Sequence, residues 1–470
     1  MSGRRDTIFA LSSGRPPAAI AVVRVSGPAA RDAVIALAGR VPQPRHAALL
    51  RLRSPPGNGS GQPSDCAFEP IDDALVLWFP GPASETGEDT AEFQLHGGHA
   101  VVAAVLSALG AIDGLRPAGP GEFTRRAFEN GKLDLTRVEG LADLIGAETE
   151  AQRRQAFRQL KGLLGDRAER WRQHLTEALA LVEASIDFPD EDLISAKVIQ
   201  SALAVAREFE REIRGLLAGS CRGERLREGL IVAVSGPVNV GKSSIVNRLA
   251  KRSAAIVSPY AGTTRDVIEV HLDLGGFPIT VLDTAGMRDT GDPVEEEGVR
   301  RARAGAEGSD LVLWVTDAAQ GKPVPPPADL VKAGAPPVWI LSNKADLARG
   351  KDLEGASNGD EETCAGMKGY RISALTGASF DDLEEGLADH AREFFSGGTE
   401  SALVTRQRHR SALVECADAL SRACAEGASG REDIIAEELR LAARALGRLI
   451  GRVDVENVLD VIFRDFCIGK

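Results

Sequence analysis

The stretch Gly236-Pro-Val-Asn-Val-Gly-Lys-Ser243 decides the fold of the middle of the chain. It follows the apolar run Leu230-Ile-Val-Ala-Val-Ser235, and a helical pattern begins at Ser244. The spacing matches G-x-x-x-x-G-K-[ST], in which backbone N–H groups of a glycine-rich turn and of the next helix point at phosphate oxygens. We therefore predict a strand, a phosphate-binding loop and a helix. Lys242 would reach the β- and γ-phosphates, and the Ser243 hydroxyl would join Mg²⁺.

Four further short motifs follow this loop along the chain. They are Thr263-Thr-Arg-Asp266, Asp283-Thr-Ala-Gly286, Asn343-Lys-Ala-Asp346 and Ser373-Ala-Leu375. The first offers Thr264 as a second Mg²⁺ ligand. The second offers Asp283, which can hold Mg²⁺ through water, and an N–H of Gly286 that can sense a γ-phosphate. The Asp346 carboxylate can accept hydrogen bonds from N1–H and N2–H₂ of guanine, whereas adenine offers the opposite pattern, and the last motif is suited to close over the base.

Each motif alone is weak, but all five in this order and spacing resemble the motif set of small GTPases. GTP is therefore the predicted substrate. The residues predicted to contact it are Asn239, Val240, Gly241, Lys242, Ser243, Ser244, Thr263, Thr264, Asp283, Thr284, Ala285, Gly286, Asn343, Lys344, Asp346, Ser373, Ala374 and Leu375.

The group that orients the attacking water is not the usual one. Met287 stands where Ras-like proteins carry a glutamine, and an apolar side chain cannot hold water by a hydrogen bond. The run Val294-Glu-Glu-Glu-Gly298 supplies acidic candidates, although such a run also suits a solvated face. No arginine finger is identifiable, and a monovalent cation held by Asn239 could supply the missing positive charge.

Patterning along the chain predicts an α/β plus all-α protein. Residues 1–121 read as mixed α/β, and residues 122–222 carry the spacing of amphipathic helices. Residues 223–384 alternate short apolar runs with helical segments, which is typical of a parallel sheet covered on both faces. Helical spacing returns over 385–470. We predict an N-terminal α/β domain and a discontinuous helical domain into which a Ras-like P-loop G domain is inserted.

Composition excludes several classes of protein. The hydrophobic fraction of 43% and the charged fraction of 26% exclude collagen, long coiled coils and wholesale disorder. A net charge of −12 argues against a surface that coats nucleic acid generally. No apolar run approaches the ~20 residues of a membrane span, and we identify no signal peptide. The six cysteines fit neither a disulfide framework nor a zinc site, so we expect free thiols and a cytoplasmic location.

From end to end the chain resembles the MnmE (TrmE) family of tRNA modification GTPases. Besides the phosphate-binding loop, the segments that carry this resemblance are Gly87-Glu-Asp-Thr-Ala-Glu92, Pro120-Gly-Glu-Phe-Thr124, Lys132-Leu-Asp-Leu135, Ile186-Asp-Phe-Pro-Asp190, Ala261-Gly-Thr-Thr-Arg-Asp266 and Phe466-Cys-Ile-Gly-Lys470. One departure lies in the phosphate-binding loop, where Val238 precedes Asn239 although the family commonly has proline there.

The resemblance implies a potassium-stimulated GTPase whose G domains dimerise across their nucleotide faces. In the family, K⁺ sits where an arginine finger would and is held by the asparagine that matches Asn239. Backbone oxygens of the loop before the two threonines also contribute, which here means the region of Ser258, Tyr260 and Thr263, and Ser258 joins the nucleotide-binding set. The family's water-orienting glutamate falls on Glu295, so Glu295 and Lys242 are the implied catalytic residues.

The resemblance also implies that the N-terminal domain dimerises and binds a tetrahydrofolate derivative, either the 5,10-methylene or the 5-formyl form. The matched positions are Arg24, Glu92, Lys132 and Lys470. A carboxylate such as Glu92 can pair twice with the donor edge of a pterin, and cations suit the glutamate tail. Cys467 belongs near this site by resemblance and has a possible catalytic role, while a free cysteine is more often a small buried hydrophobe.

The implied output is a modification of certain tRNAs. With an FAD- and NADH-using MnmG partner, in a heterotetramer or larger complex, the homodimer would install an aminomethyl or carboxymethylaminomethyl group on C5 of the wobble uridine, position 34. The folate would provide the one-carbon unit. Two alternatives stay open: a ribosome-assembly GTPase switch without tRNA chemistry of its own, and a folate-dependent aminomethyltransferase regulated by a GTPase.

Overall fold

A computed structural model describes most of the chain. The described residues are 6–54, 69–187, 192–252, 268–283, 308–320, 324–347, 361–363, 367–396, 403–427, 431–453, 459, 462–463, 466 and 468–469. They form two compact units, one within Met1–Ala142 and Gly447–Lys470, the other within Asp143–Leu446. Every helix in these described ranges is too short or too polar to cross a membrane. The predicted domain limits at residues 121, 222 and 384 stay a prediction.

The first unit is built on a mixed six-stranded sheet. Its elements are β1 Thr7–Leu11, β2 Ile20–Ser26, α1 Ala30–Ala38, β3 Ala48–Arg53, β4 Pro70–Phe79, β5 Thr90–His96, α2 His99–Gly110, β6 Leu115–Pro117, α3 Glu122–Glu129 and α4 Leu135–Gly146, the last of which continues into the second unit. The strand order is β3-β4-β5-β2-β1-β6, and only the β1–β6 pair is parallel.

One face of this sheet is covered by α1 and α2. Val23 and Phe93 on the sheet are fully buried, as are Leu37 on α1 and Val105 on α2. Burial alternates along β2, as expected for a strand with one face in the core. The apolar run Ile20–Ser26 predicts a strand and the pattern from about His99 to Leu109 predicts a helix, and both are confirmed.

The second unit begins with helices. They are α5 Glu150–Leu160, α6 Leu163–Asp187, α7 Asp192–Leu217 and α8 Ser220–Glu228. Thr149 starts α5 with a capping box, because its hydroxyl accepts from the Gln152 N–H while the Gln152 side chain accepts from the Thr149 N–H. The helical spacing predicted over this region is confirmed, and α7 packs against α6.

A seven-stranded sheet follows. Its elements are β7 Leu230–Ser235, α9 Lys242–Arg252, β8 Ile268–Leu274, β9 Phe277–Asp283, β10 Leu311–Asp317, β11 Val338–Asn343, β12 Glu361–Thr363, β13 Met367–Arg371 and α10 Phe380–Phe395. The chain returns to helix in α11 Gln407–Glu426, which packs on α7, and α12 Glu432–Ile450. The strand order is β12-β13-β11-β10-β7-β9-β8.

The five inner strands of this sheet are parallel, and the two edge strands are antiparallel to their neighbours. The apolar runs at 230–235, 279–283, 311–315 and 338–342 predict parallel strands, and all four are confirmed within two residues of their ends. The polar stretch 348–362 predicts a surface loop, and that prediction is wrong at its end, because Glu361 and Glu362 pair with β13. Since the carboxyl ends of parallel strands share one edge, the polar groups at the ends of β7, β9, β10 and β11 gather there.

Candidate nucleotide-binding site

The phosphate-binding loop joins β7 to α9 through three residues with left-handed backbone. Gly236, Asn239 and Gly241 have φ values of 143°, 61° and 96°. A Cβ on Gly236 would lie 2.3 Å from the Val315 carbonyl oxygen, and one on Gly241 would lie 2.4 Å from Nδ2 of Asn343. The two glycines of the motif are therefore required both by backbone conformation and by space.

The helix that follows starts at Lys242, two residues before the predicted start. Nζ of Lys242 donates to the carbonyl oxygens of Gly236 and Pro237, at 2.9 and 2.7 Å, so the side chain curls back over the loop. Ser243 and Ser244 are exposed in the first helical turn. The partial positive charge of a helix N-terminus and the nearby Lys242 ammonium suit this loop to an anion.

The Asn343 side chain joins three of the predicted motifs. It is buried at the end of β11, with 2% of its surface exposed. Its Nδ2 donates to the Val240 carbonyl at 2.8 Å, and its Oδ1 accepts from the Ala374 N–H at 2.9 Å. One amide thus fixes the phosphate-binding loop and the Ser373-Ala-Leu375 motif relative to each other.

The residues predicted to recognise the base also come together. Asp346 lies in a 3₁₀ turn over Ala345–Leu347, and its Oδ1 accepts a hydrogen bond of 2.5 Å from the Ser373 hydroxyl. The Ser373 hydroxyl oxygen in turn accepts from the Thr376 N–H. Leu375 is 80% exposed beside these groups. The arrangement leaves the exposed Asp346 carboxylate oriented by Ser373 at the mouth of the site.

A residue that the motifs did not predict, Asp317, holds the lysine of this region. It ends β10 directly opposite Asn343 in the register, and its Oδ2 lies 2.7 Å from Nζ of Lys344. Burial alone would raise the pKa of Asp317, but the Lys344 ammonium and the Ala319 N–H outweigh it and lower that pKa. The only sequence signal is an acidic residue at the end of an apolar strand, which is not specific.

Asp283 ends β9, next to β7 in the parallel sheet, and its side chain is buried. It therefore lies at the same edge of the sheet as the loop. The other predicted members of the site lie outside the described residues: Ser258, Tyr260, Thr263, Thr264, Thr284, Ala285, Gly286 and Glu295.

The candidate folate residues lie in the first unit. Arg24 on β2 is opposite Glu92 on β5, and its Nε donates to Glu92 Oε1 at 2.9 Å. Its Nη1 contacts Glu85 at 2.9 Å, and its guanidinium lies over the Phe123 ring, 5.7 Å from the centroid. Lys132 is exposed, and its Cε is close to Gly87. Lys470 and Cys467 lie outside the described residues.

The first unit also contains a buried ionic network that the sequence did not predict. Arg126 on α3, with 6% of its side chain exposed, contacts Glu88 at 3.0 Å and Glu122 at 3.1 Å. Burial would raise the pKa of Glu122, but hydrogen bonds from Arg116, the Gly119 N–H and Arg126 lower it to about 2. Metal-type clusters of three or more His, Cys, Asp or Glu are absent from the part of the chain that the structure describes.

Comparison with known proteins gives matches over nearly the whole chain. The family model described as "MnmE helical domain" matches residues 135–467, and the model described as "GTP-binding protein TrmE N-terminus" matches residues 7–132. Together they cover the two units apart from a few residues.

Full-length relatives agree with these matches. A protein of Bradyrhizobium sp. (strain BTAi1) is 54% identical over 465 residues, and one of Bradyrhizobium sp. (strain ORS 278) is 53% identical over the same length. One of Rhodospirillum rubrum is 52% identical over 469 residues. In each case 99% of both chains is covered, and each relative is named tRNA modification GTPase MnmE. Among solved structures, the FeoB G-domain from Methanococcus jannaschii is 25% identical over 35% of this chain and 98% of its own, with a TM-score of 0.26, which is too low to support a conclusion.

Proposed function

This chain belongs to the MnmE family of tRNA modification GTPases, and we propose that it hydrolyses GTP to drive modification of C5 of the wobble uridine, position 34, in certain tRNAs. The group installed is aminomethyl or carboxymethylaminomethyl. The observation that supports the nucleotide part is the position of the Asn343 amide. It bridges the phosphate-binding loop and the loop over residues 373–377 beside Asp346, which we name the base-capping loop.

Guanine selection rests on Asp346. Its carboxylate offers two acceptor oxygens to N1–H and N2–H₂ of guanine, and the Ser373 hydroxyl keeps it in place. Hydrogen bonds to an ionised group are strong, so this pairing separates guanine from adenine by a large factor. Leu375, which is largely exposed, is positioned to cover the base.

The phosphates bind in the loop between β7 and α9. Lys242 leaves the carbonyls of Gly236 and Pro237 for the β- and γ-phosphates, since a phosphate oxygen is the stronger acceptor for an ammonium. The exposed Ser243 hydroxyl and Thr264 would be ligands of Mg²⁺, and the Asp283 carboxylate would hold the ion through water; these oxygen donors fit that ion. Bound Mg²⁺ neutralises charge on the phosphates.

Water is oriented by Glu295 in this proposal, because Met287 cannot do so. Glu295→Ala should leave GTP affinity within about threefold and reduce hydrolysis about a hundredfold, the range for loss of a group that acts only in the transition state. Glu297→Ala, in the same acidic run, is the matched control. Unchanged hydrolysis in Glu295→Ala would reject this role.

Potassium would supply positive charge where an arginine finger is missing. The Asn239 side chain is exposed at the tip of the loop and would hold K⁺ together with oxygens of Ser258, Tyr260 and Thr263. We expect the GTPase rate to be higher in KCl than in NaCl, and higher still when two nucleotide faces can meet. Equal rates in the two salts would contradict the potassium site.

The folate donor binds the first unit in this proposal, through Arg24, Glu92, Lys132 and Lys470, with Cys467 nearby. The support is that Arg24 and Glu92 share one patch of the sheet and present a cation and a carboxylate together. Glu92→Gln should weaken binding of 5-formyltetrahydrofolate, because the carboxamide offers only one acceptor oxygen to the pterin donors. Unchanged affinity would remove Glu92 from the site.

The remaining parts of the proposal concern partners and place. The chain acts as a cytoplasmic homodimer with an FAD-dependent MnmG partner, in a heterotetramer or larger complex. Its net charge of −12 fits a division of labour in which the partner supplies much of the tRNA-binding surface.

Mass analysis of wobble nucleosides tests the whole proposal. Cells that lack this chain should lose the C5-modified uridine, and the wild-type chain should restore it while Glu295→Ala should not. An unchanged nucleoside pattern, combined with a ribosome-assembly defect, would favour a ribosome-assembly GTPase switch. If cells with Glu295→Ala still transfer the folate one-carbon unit to the wobble uridine, a folate-dependent aminomethyltransferase with a regulatory GTPase would be favoured.

A further inference from the structure

Arg248 on α9 reaches the loop that caps the base. Its Nη1 donates to two consecutive carbonyl oxygens, those of Ala374 at 2.9 Å and Leu375 at 3.0 Å. Its guanidinium also lies over the buried Phe380 ring, 5.6 Å from the centroid. Arg248 belongs to none of the five motifs, and it is half-buried in the structure.

The loop is shaped to receive this guanidinium. Gly377 has a φ of 91°, and a Cβ there would lie 2.2 Å from Nη2 of Arg248. The Gly377 N–H donates to the Ser373 carbonyl at 2.8 Å, which closes the turn around the arginine. Glycine is thus favoured at this position by backbone conformation, and a methyl group there would have to displace the Arg248 guanidinium.

Arg248 also lies on α9, the helix whose first turn follows the phosphate-binding loop. It follows Lys242 by six residues on α9, which is about 9 Å along the helix axis. The same loop is held from its other side by Asn343, whose Oδ1 accepts from the Ala374 N–H. The main chain of Ala374 is therefore hydrogen-bonded on both sides, through its N–H to Asn343 and through its carbonyl oxygen to Arg248.

We propose that Arg248 is a positioning residue for GTP, which holds the base-capping loop in its binding conformation from the helix that carries the phosphate site. The inference rests on the proposed nucleotide site. Because the loop contacts the base in substrate and transition state alike, Arg248 should govern affinity and dissociation and leave the chemical step unchanged.

The test uses the full chain and compares Arg248→Met, Arg248→Lys and Lys251→Ala. Methionine keeps the apolar stem and loses the donors. Lysine keeps a positive charge and N–H donors but lacks the planar guanidinium that lies over Phe380. Lys251 is exposed on the same helix and serves as the control. The readouts are the dissociation rate of a fluorescent ribose-labelled GDP, and KM and kcat for GTP. For Arg248→Met we expect about tenfold faster dissociation and a matching rise in KM, with kcat within twofold. Arg248→Lys should recover part of this loss, and Lys251→Ala should match wild type.

Gly377→Ala probes the same contact from the loop and keeps the proposal testable if an Arg248 variant folds poorly. It should accelerate dissociation in the wild-type background. The part of its effect that comes from displacing the guanidinium should disappear when Arg248 is already methionine, whereas the part that comes from backbone strain at a φ of 91° should remain. Unchanged dissociation in Arg248→Met, a loss confined to kcat, or full additivity of the two substitutions would overturn the role of Arg248. If Asp346→Asn also left GTP affinity unchanged, the proposed nucleotide site itself would fail.

Discussion

The two candidate sites are held by different kinds of contact. At the edge of the seven-stranded sheet, the side chains that hold the phosphate-binding loop bind main-chain groups: Asn343 contacts Val240 and Ala374, and Lys242 contacts Gly236. In the six-stranded sheet, the candidate side chains bind one another, as Arg24 does with Glu92. A nucleotide would therefore meet a loop whose shape is set by backbone, whereas the folate that we propose would have to compete with an existing ion pair.

This difference determines what each site tolerates. A site shaped by backbone depends on conformations that only glycine adopts without strain, and on space that a single methyl group would fill. A site built from paired charges depends on every partner being present, because a buried charge that loses its partner is costly. Substitutions in the phosphate-binding loop should therefore act mainly on ligand affinity, and substitutions in the buried ionic network around Arg126 should act mainly on folding.

The largest expected effect is on folding of the first unit. Arg126→Met removes the buried guanidinium between Glu88 and Glu122, and we expect the free energy of unfolding of this unit to fall by about 3–5 kcal/mol. Hydrogen exchange of β5 relative to β7 measures it. Arg125→Met, an exposed neighbour on the same helix, should change the protection of β5 far less. If both variants lost the same amount of protection in β5, the stabilising role of the buried Arg126 network would be contradicted.

The next effect is on ligand affinity in the second unit. Gly241→Ala places a methyl group against Nδ2 of Asn343 at a φ of 96° and should weaken GTP binding about ten- to hundredfold. Calorimetric titration with a non-hydrolysed GTP analogue checks it. Gly215→Ala, in α7 and open to space, is the control and should be neutral or slightly stabilising. If Gly241→Ala bound the GTP analogue with wild-type affinity, the backbone conformation of the loop would not determine the shape of this site.

A smaller effect concerns pH. The pKa of Glu122 is held at about 2, below its ordinary value of 4.5, so its carboxylate stabilises the folded state above about pH 4.5 and that contribution disappears as the pH falls toward 2. Glu122→Gln should therefore cost about 1 kcal/mol at pH 7, after allowance for solvent screening, and almost nothing near pH 2. Hydrogen exchange of β1 at several pH values checks it. If the loss of stability in Glu122→Gln did not change with pH, the stabilising role of the ionised Glu122 carboxylate would be contradicted.

The smallest effect concerns the pair between Asp317 and Lys344. Their side chains are 8% and 31% exposed, so the contact is partly screened, and Asp317→Ala should accelerate GDP dissociation about two- to fivefold. In the Lys344→Ala background the same substitution should add little, because the partner is gone. Independent effects of the two substitutions would mean that Asp317 does not act through Lys344.

The sequence predicted the parts of the molecule whose chemistry is local. The strand, loop and helix around Gly236 and Gly241 follow from spacing, and four of the five inner strands, β7, β9, β10 and β11, were identifiable as apolar runs. Asp317, Arg248 and Arg126 were not identifiable, because each contacts at least one residue far along the chain that only the strand order and loop packing bring close. Strand β8 was also missed, since an edge strand with alternating burial lacks the continuous apolar run of an inner strand.

Nucleotide preference tests the central claim, which is that Asp346, oriented by Ser373 at a backbone-shaped site, selects guanine. The measurement is displacement of fluorescent GDP from the full chain by GTP, ATP and XTP, for wild type and Asp346→Asn. We predict that wild type binds GTP far more tightly than ATP, and that Asp346→Asn loses about a hundredfold in GTP affinity while gaining affinity for XTP, whose 2-oxo group can accept from the carboxamide. Wild type that prefers ATP, or a variant with unchanged GTP affinity, would contradict the claim.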